Sequence, residues 1–402
     1  MTFPLVLQAA IDALQNGRPV LLTDDANREN EGDLVYLAES ITAAQVNFMA
    51  THGRGLICLS LAPAIADQLQ LPMMTANNQA SFHTPFTVSI EARTGVTTGI
   101  TAQDRAHTMR SVVALDASIK DYVSPGHVFP LRAHADGVLG RAGHTEGSVE
   151  LAKLAGSRAA AVMCEVLDEQ GDSARGQALQ DFIDKHQIPA LSIQSLIDYR
   201  LKQEVLASEV VNVSLPTALA DNLEVAAFES LLDPHDIVVL KHPALDCTKP
   251  VLVRIHSECL TGDVFGSLRC DCGLQLQQAL SLIAAEAGVL IYLRQEGRGI
   301  GFANKLKAYQ LQAEGYDTVS ANTALGLPAD QRHYLAAAHV LKALGLTNIE
   351  LLTNNPHKIT DLERCGLQVK RRSLVVAANV HSEAYLSTKY VKMGHFKGSH
   401  HD

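Results

Sequence analysis

Residues 5–37 read LVLQAAIDALQNGRPVLLTDDANRENEGDLVYL, and this stretch decides the fold. Leu5 to Gln15 has the apolar spacing of an amphipathic helix, and Gly17-Arg18-Pro19 breaks it. Pro19 to Leu22 then reads as a strand and Leu34 to Leu37 as another, with an acidic connection between them. Working outward, Thr42 caps a helical stretch to His52, and Gly55 to Leu61 reads as a buried strand. Val88 to Ile90 and Ala159 to Cys164 are further strand candidates. Helices alternating with strands predict a layered α/β domain.

The chain has 402 residues, more than one ordinary hydrophobic core holds, so two domains are expected. Leu196 to Val205 reads as a polar helix leaving the first, and Pro216 follows soon after. The boundary is placed near 201–209, giving domains 1–205 and 206–402. The second half again mixes strands (Val251 to His256, Val289 to Leu293) with helices (Gln331 to Leu344). The expected class is α/β (α+β), two layered mixed-sheet domains in tandem. The end, Gly398-Ser399-His400-His401-Asp402, reads as a disordered tail able to hold metal adventitiously.

Composition narrows the function. Hydrophobic residues make up 47% and charged residues 19%, a globular balance. The formal charge of −10 excludes a large nucleic-acid footprint, which needs clustered Lys and Arg. Seven cysteines form no disulfide framework, which points to a reducing compartment. Met1 to Leu14 has no basic leader, and no apolar run approaches the roughly 20 residues that cross a bilayer. The expectation is a soluble cytoplasmic protein.

Asp24 to Asp33 packs five carboxylates and one arginine into ten residues. Alone, such a run reads more often as a solvated turn. Crowded carboxylates otherwise need a cation or a proton, and oxygen donors suit Mg²⁺. A second group shifts the balance: Gly126-His127-Val128-Phe129-Pro130-Leu131-Arg132 and Arg141-Ala142-Gly143-His144-Thr145-Glu146. Arginine binds phosphate in a fork, and histidine ligates metal or moves protons near neutral pH. Acidic and basic groups can thus converge on an anionic, metal-bound substrate.

These motifs, with Arg28 to Asp33, Gly95-Val96-Thr97-Thr98-Gly99-Ile100 and Asp104-Arg105-Ala106, resemble 3,4-dihydroxy-2-butanone 4-phosphate synthase over about residues 1–200. The resemblance implies conversion of D-ribulose 5-phosphate to L-3,4-dihydroxy-2-butanone 4-phosphate plus formate. It implies Mg²⁺ or Mn²⁺ at Glu29 and His144. It gives substrate contacts to Arg28, Asp33, Arg141, Ala142, Gly143, Thr145 and Glu165, and essential catalytic positions to His127 and Glu165. The residue types fit, since an enediol forms when a base removes a proton beside a carbonyl. Cys58 reads as a core thiol before a site residue.

Cys259, Cys270 and Cys272 have the spacing C-x10-C-x-C. Three thiolates suit Zn²⁺ with an open catalytic position, whereas a structural site takes a fourth ligand, for which His256 is one candidate. Spacing alone leaves the two even. Arg254-Ile255-His256-Ser257-Glu258 runs into the first thiol, and Arg294-Gln295-Glu296-Gly297-Arg298-Gly299 follows a strand as a glycine-rich turn suited to an anion.

With Ala303-Asn304-Lys305, Tyr309, Asp317-Thr318, Leu325-Gly326-Leu327-Pro328, Asp330, Arg332 and Leu352 to Lys358, these segments resemble GTP cyclohydrolase II over about residues 210–395. The resemblance implies Zn²⁺ at Cys259, Cys270 and Cys272. It implies GTP contacts at Arg254, Ile255, His256, Ser257, Glu258, Gln275, Glu296, Gly297, Arg298, Thr318, Thr353 and Lys358. It makes Asp330 a proton acceptor, Arg332 a nucleophile towards the α-phosphate and Tyr309 a helper at the ring. The implied products are 2,5-diamino-6-ribosylamino-pyrimidinone 5'-phosphate, formate and pyrophosphate. A nucleophilic arginine is unusual, because its pKa exceeds about 12. Two departures from the family pattern, at Ala220-Asp221-Asn222 and at Leu335-Ala336-Ala337-Ala338-His339, bear on packing and not on ligands.

The leading expectation is therefore a bifunctional enzyme of riboflavin biosynthesis, a homodimer by resemblance, acting on ribulose 5-phosphate and GTP without nucleic-acid or membrane partners. The alternative is a single-activity synthase whose second half is a regulatory, catalytically weak nucleotide-binding domain. The intact Cys259, Cys270, Cys272, Asp330 and Arg332 weigh against it.

Overall fold

In the computed structural model the described residues are 3–218, 223–377, 380–382, 389–392 and 394–396. The departure at Ala220-Asp221-Asn222 and the histidine-rich tail lie outside them. The chain divides into two compact units, Met1–Tyr199 and Arg200–Asp402. The division falls inside the helix Ile193–Gln203, which the sequence marks as leaving the first domain.

The first unit is a mixed seven-stranded sheet. Its strands are β1 Val20–Thr23, β2 Gly32–Leu37, β3 Cys58–Leu61, β4 Ile90–Ala92, β5 Tyr122–Arg132, β6 Ala160–Glu165 and β7 Ala190–Ser192, in the order β4-β5-β3-β6-β2-β1-β7. Both faces are covered. Leu21, Leu34 and Tyr36 enter one core while Val20, Leu22, Val35 and Leu37 enter the other. A strand buried on both sides reads as a continuous apolar run, which is why VLL and LVYL announce themselves. Thr42 caps the helix Ala43–Phe48 with a capping box, and a π turn over Met49–Gly53 follows. β4 lies slightly later than Val88 to Ile90. β5 is long and carries Pro125, Gly126 and Pro130, residues that argue against a strand and hid it from the sequence reading.

The second unit has β8 Ala207–Leu215, β9 Leu223–Ser230, β10 Asp233–Lys241, β11 Val251–Ser257, β12 Val289–Leu293, β13 Asn348–Leu352 and β14 Gln368–Arg372. They form a second sheet in the order β14-β13-β11-β12-β10-β9-β8. β11 runs parallel to β12 and β13, while β8, β9 and β10 form an antiparallel meander. Parallel strands release their loops at the same sheet end, so the segments after β11, β12 and β13 gather there. Among the described residues no helix is long and apolar enough to cross a membrane.

Candidate active sites

β1 and β2 pair antiparallel with Thr23 opposite Gly32, so the acidic run is the loop between them. Asp24 organises it. Its carboxylate accepts the backbone N–H groups of Glu29 (3.0 Å) and Glu31 (2.9 Å) and the Arg28 guanidinium (3.0 Å). Burial acts to raise its pKa, but these donors outweigh burial and hold the carboxyl below its ordinary value.

The loop then presents Glu29 to His144, the first residue of the helix His144–Leu154, with Oε2 3.5 Å from Nδ1. His144 Nε2 lies 3.8 Å from Asp33 Oδ1, and neither atom has a hydrogen-bond partner among the described residues. Register places Asp33 opposite Glu165 across β2 and β6. Two unit charges about 4 Å apart in a partly screened site interact by roughly 4 kcal/mol, equal to about three pKa units, so these neighbours set one another's protons. Burial, with repulsion from Glu165, Glu31 and Glu29, pushes Asp33 up to about 7 against the pull of His144. Burial also raises Glu165. For His144 burial acts downward, yet Asp33, Glu29 and Asp24 win and carry it up to about 9.

Ligand atoms of Asp24, Glu29 and His144 all lie within 4.8 Å of one another. Hard oxygen donors, one imidazole, an excess of negative charge and two orphaned buried atoms fit a divalent cation such as Mg²⁺ or Mn²⁺. Asp24 was not singled out from sequence, because nothing in an acidic run says which member ties the loop.

Arg141 precedes the same helix and is held by Glu146 at 2.8 Å. It also donates to the Phe82 carbonyl at 3.2 Å, while the Arg28 guanidinium lies 5.4 Å from the Phe82 ring centroid. Phe82 thus touches both arginines, a role no local pattern announces. Gly143 is the helix N-cap, so Ala142, Gly143 and Thr145 sit where backbone N–H groups receive an anion. Glu165 accepts the Leu56 N–H at 2.8 Å. His127, on β5, pairs with Glu91 on β4 at 2.6 Å. Gly99, at φ +82°, packs against Glu91, where a Cβ would sit 1.8 Å from the carboxylate. Asp104 accepts Thr97 Oγ1–H (2.7 Å) and the Gly99 N–H (3.0 Å), so it holds the Gly95–Gly99 motif against Glu91. Cys58 is buried against Leu131 and Met163, a core thiol as expected.

In the second unit β11 carries Arg254 to Ser257 to the gathering end, and Cys259 follows as N-cap of the helix Leu260–Asp263. Cys272 opens the helix Cys272–Ala285. The three thiols come within 4.8 Å of one another, with Cys259 and Cys270 sulfurs 3.7 Å apart and no disulfide. Gly262 allows this approach, because a Cβ there would meet the Cys270 sulfur at 3.0 Å and the Cys259 sulfur at 3.3 Å. Hydrogen bonds from Cys270 and Cys272 pull Cys259 far below the usual thiol range, helped by Lys305, whose Nζ lies 3.2 Å from its sulfur. The same sharing pushes Cys270 up to about 11. A soft three-sulfur donor set that already stabilises a thiolate fits Zn²⁺.

Sequence left His256 open as a fourth ligand. Its Nε2 lies 3.1 Å from both Asp263 oxygens, and it does not join the thiol group among the described residues. Asp263 also accepts the Tyr292 hydroxyl (2.8 Å) and the Cys259 N–H (3.0 Å), fixing ring and thiol loop together. Glu296 ties the glycine turn to that loop, accepting from Leu260 N–H (2.7 Å), Gly297 N–H (2.7 Å) and Lys305 (2.8 Å). Gly297 and Arg298 are both left-handed, at φ 63° and 66°, which aims Arg298 at Thr318 (3.2 Å).

Around the thiols lies a cleft of ≈ 670 Å³ that also takes in Glu258, Glu296, Arg298, Tyr309 and Thr318. A second cleft of ≈ 540 Å³, lined by Arg254, His256, Gln275, Thr353 and Lys358, shares Ser257, Cys272 and Arg332 with the first. Lys358 donates to the Ile255 carbonyl at 2.8 Å, and Arg254 to Leu352 O (2.8 Å) and Gln275 (2.7 Å). Asp330 grips the Arg332 guanidinium through Nε at 2.9 Å and its backbone N–H at 3.0 Å. Burial opposes ionisation of Asp330, but Arg332 outweighs it and holds the carboxyl low. Lys305, the link between thiolate and Glu296, lies in Ala303-Asn304-Lys305, where no local pattern announces that task.

Residues 8–199 match the family described as 3,4-dihydroxy-2-butanone 4-phosphate synthase, and residues 208–373 match that described as GTP cyclohydrolase II. The chain is 49% identical to the riboflavin biosynthesis protein RibBA of Bacillus subtilis (strain 168), over 97% of this chain and 98% of that one. The chain belongs to this bifunctional riboflavin biosynthesis family. The family's protein from Aquifex aeolicus (strain VF5) is 48% identical over 97% of both chains. A solved structure of RibBX, described as a two-domain 3,4-dihydroxy-2-butanone 4-phosphate synthase from A. baumannii, is 31% identical with a TM-score of 0.63, covering 86% of this chain and 93% of that one. The family reading covers the whole chain: a lyase of the synthase type in the first half and a hydrolase of the cyclohydrolase II type in the second. RibBX is named for one activity only.

Proposed function

We propose that the first unit converts D-ribulose 5-phosphate to L-3,4-dihydroxy-2-butanone 4-phosphate and formate, and that the second hydrolyses GTP to 2,5-diamino-6-ribosylamino-pyrimidinone 5'-phosphate, formate and pyrophosphate. The observation that carries the reading is the pairing, in the second unit, of three converging thiols with a cationic cleft sharing Arg332 and Cys272. Thiols alone suit any zinc site; thiols opening onto a polyanion cleft suit a nucleotide.

In the first unit Glu29 and His144 would hold Mg²⁺ or Mn²⁺, which when bound supplies Lewis-acid polarisation of the sugar oxygens. Arg28, Arg141 and the backbone from Ala142 to Thr145 receive the phosphate. Asp33 and Glu165 face each other across β2 and β6 and both carboxyls are raised by burial, so either suits taking a proton from carbon and returning it. His127, oriented by Glu91, is the further proton carrier of the reading.

In the second unit Cys259, Cys270 and Cys272 would hold Zn²⁺, which when bound activates water for attack on the purine ring. Tyr309 stands beside the thiols, its hydroxyl 3.4 Å from Thr261 Oγ1. Arg332, steered by Asp330, meets the α-phosphate. Arg254, Gln275, Thr353 and Lys358 line the phosphate side, with Arg298 and Thr318 across the thiol cleft. A cytoplasmic homodimer belongs to the same reading.

The test is formate release from each substrate by the purified full chain. Formate from both supports two active heads. Formate from ribulose 5-phosphate alone, with zinc and magnesium supplied, would reduce the second half to a binding domain.

A further inference from the structure

Two side chains outside the assigned set reach the cationic cleft from late in the chain: Lys389 and His395. Their segment is anchored at three places around the site. Lys389 Nζ lies 2.7 Å from Asp271 Oδ1, between two thiol positions in sequence. Lys392 Nζ lies 2.8 Å from Asp317 Oδ2, and Asp317 caps the helix that opens with Thr318. The Phe396 N–H donates to Asn354 O at 2.9 Å, and its ring stacks 4.8 Å from the Arg371 guanidinium. These anchors place Lys389 and His395 at the cleft.

The cleft's charge says what that ligand is. Arg254, Arg332, Lys358 and Lys389 line it, and no carboxylate is among its described lining residues. Carboxylates act on these cations only from outside the lining: Asp330 on Arg332 and Lys358, and Asp271 on Lys389 and Arg254. Burial and the surrounding cations push Lys358 well below the usual lysine value. His395 is pushed down to about 3 by burial first, then by Lys389, Arg332 and Lys358. Buried cations crowded together at this cost call for an anion carrying several charges.

We propose that Lys389 and His395 are direct contacts for the polyphosphate of GTP, and that their segment completes the phosphate side of the second site. Lys389 would sit between Asp271 and a phosphate oxygen, coupling the phosphate side to the thiol helix. The inference rests on the reading of this cleft as the phosphate side.

The experiment is calorimetric titration of inorganic pyrophosphate into the full-length protein, beside steady-state kinetics on GTP. Lys389→Met should weaken pyrophosphate binding and raise KM for GTP by about 10- to 100-fold, the value of a hydrogen bond to a charged group. kcat should change less, Lys389→Arg should recover most of the loss, and His395→Ala should lose affinity to a smaller degree. An unchanged melting curve and unchanged formate release from ribulose 5-phosphate show that the variants are folded. Lys358→Met, on the phosphate side, is the reference for the cleft. If it loses pyrophosphate while Lys389→Met and His395→Ala bind within twofold of wild type, the segment's role is overturned and the cleft assignment stands. If wild type turns over GTP yet shows no pyrophosphate affinity, or Lys358→Met leaves it unchanged, the cleft assignment falls and takes the segment with it.

Discussion

The two sites solve opposite electrostatic problems. In the first unit Asp24, Glu29, Asp33 and Glu165 crowd one imidazole, and the surplus is negative. In the second, the cleft beside the thiols is lined by guanidinium and ammonium groups, and the surplus is positive. The first is built across adjacent strands, so antiparallel register alone sets Asp33 opposite Glu165. The second is assembled from loops after separate parallel strands plus a late segment. The lesson is that each surplus fits the ligand proposed for it: a hard cation in one case, a polyanion in the other.

The sharpest way to break the comparison is to remove one metal ligand from each side. Cys270→Ser should lower formate release from GTP by more than roughly 100-fold, the upper range seen for groups that only support a ligand. Its release from ribulose 5-phosphate should stay within about twofold, since the sites share no residue. Glu29→Ala should do the reverse. Desalting should sharpen the contrast. About one zinc per chain should persist by elemental analysis, while the sugar-phosphate activity falls until Mg²⁺ is restored. Loss of both activities in either folded variant would mean the sites are not independent.

A smaller effect is expected where a residue supports a ligand. Asp263→Asn weakens the grip on His256, Tyr292 and the Cys259 N–H together, and should cost GTP turnover about 10- to 100-fold with zinc affinity reduced. Normal zinc affinity in this variant would show that the thiol loop holds itself. Smaller again is Arg141→Lys, which keeps the charge but loses the fork that spans Glu146 and Phe82. KM for ribulose 5-phosphate should rise about tenfold with kcat less affected. An unchanged KM would remove Arg141 from phosphate binding.

The smallest expected effect lies away from both sites. His339 is fully buried, accepts the Leu206 N–H at Nδ1 (3.2 Å), and is pushed down to about 4 by burial and then by Lys342. The unfolded chain takes up this proton near pH 6.5. Stability therefore falls as pH drops below about 6.5, by at most ~1.4 kcal/mol per pH unit, and the loss levels off near pH 4. His339→Gln keeps an acceptor without the titration, so denaturant unfolding at pH 5 and pH 7 should differ less in the variant by about 1–2 kcal/mol. Equal slopes would show that His339 protonates as freely folded as unfolded.

Much of the site was legible because metal and phosphate chemistry accepts few residue types. Cys259, Cys270 and Cys272 could be grouped from spacing, whereas Glu29 and His144 came only from the family resemblance that their motifs carry; in the structure each set lies close together. Asp24, Phe82, Glu91 and Lys305 were not legible, because each acts through a partner distant in sequence or through a backbone N–H. β5 was hidden by its prolines, and the open status of His256 could not be read until Asp263 was seen to hold it.

By itself, then, the sequence determined the tandem α/β class and the family, and named candidate donor atoms. Strand-length apolar runs and soft or hard ligands are local properties, written in residue type and period. Only the tertiary structure decided which carboxylate ties the acidic loop and which face each other. It also decided that, among the described residues, three thiols meet without a fourth ligand, and that Lys389 and His395 return to a cleft built more than a hundred residues earlier in the chain around Arg254. Those outcomes depend on register, burial and charge summed over groups far apart in the chain, and no local pattern carries that sum.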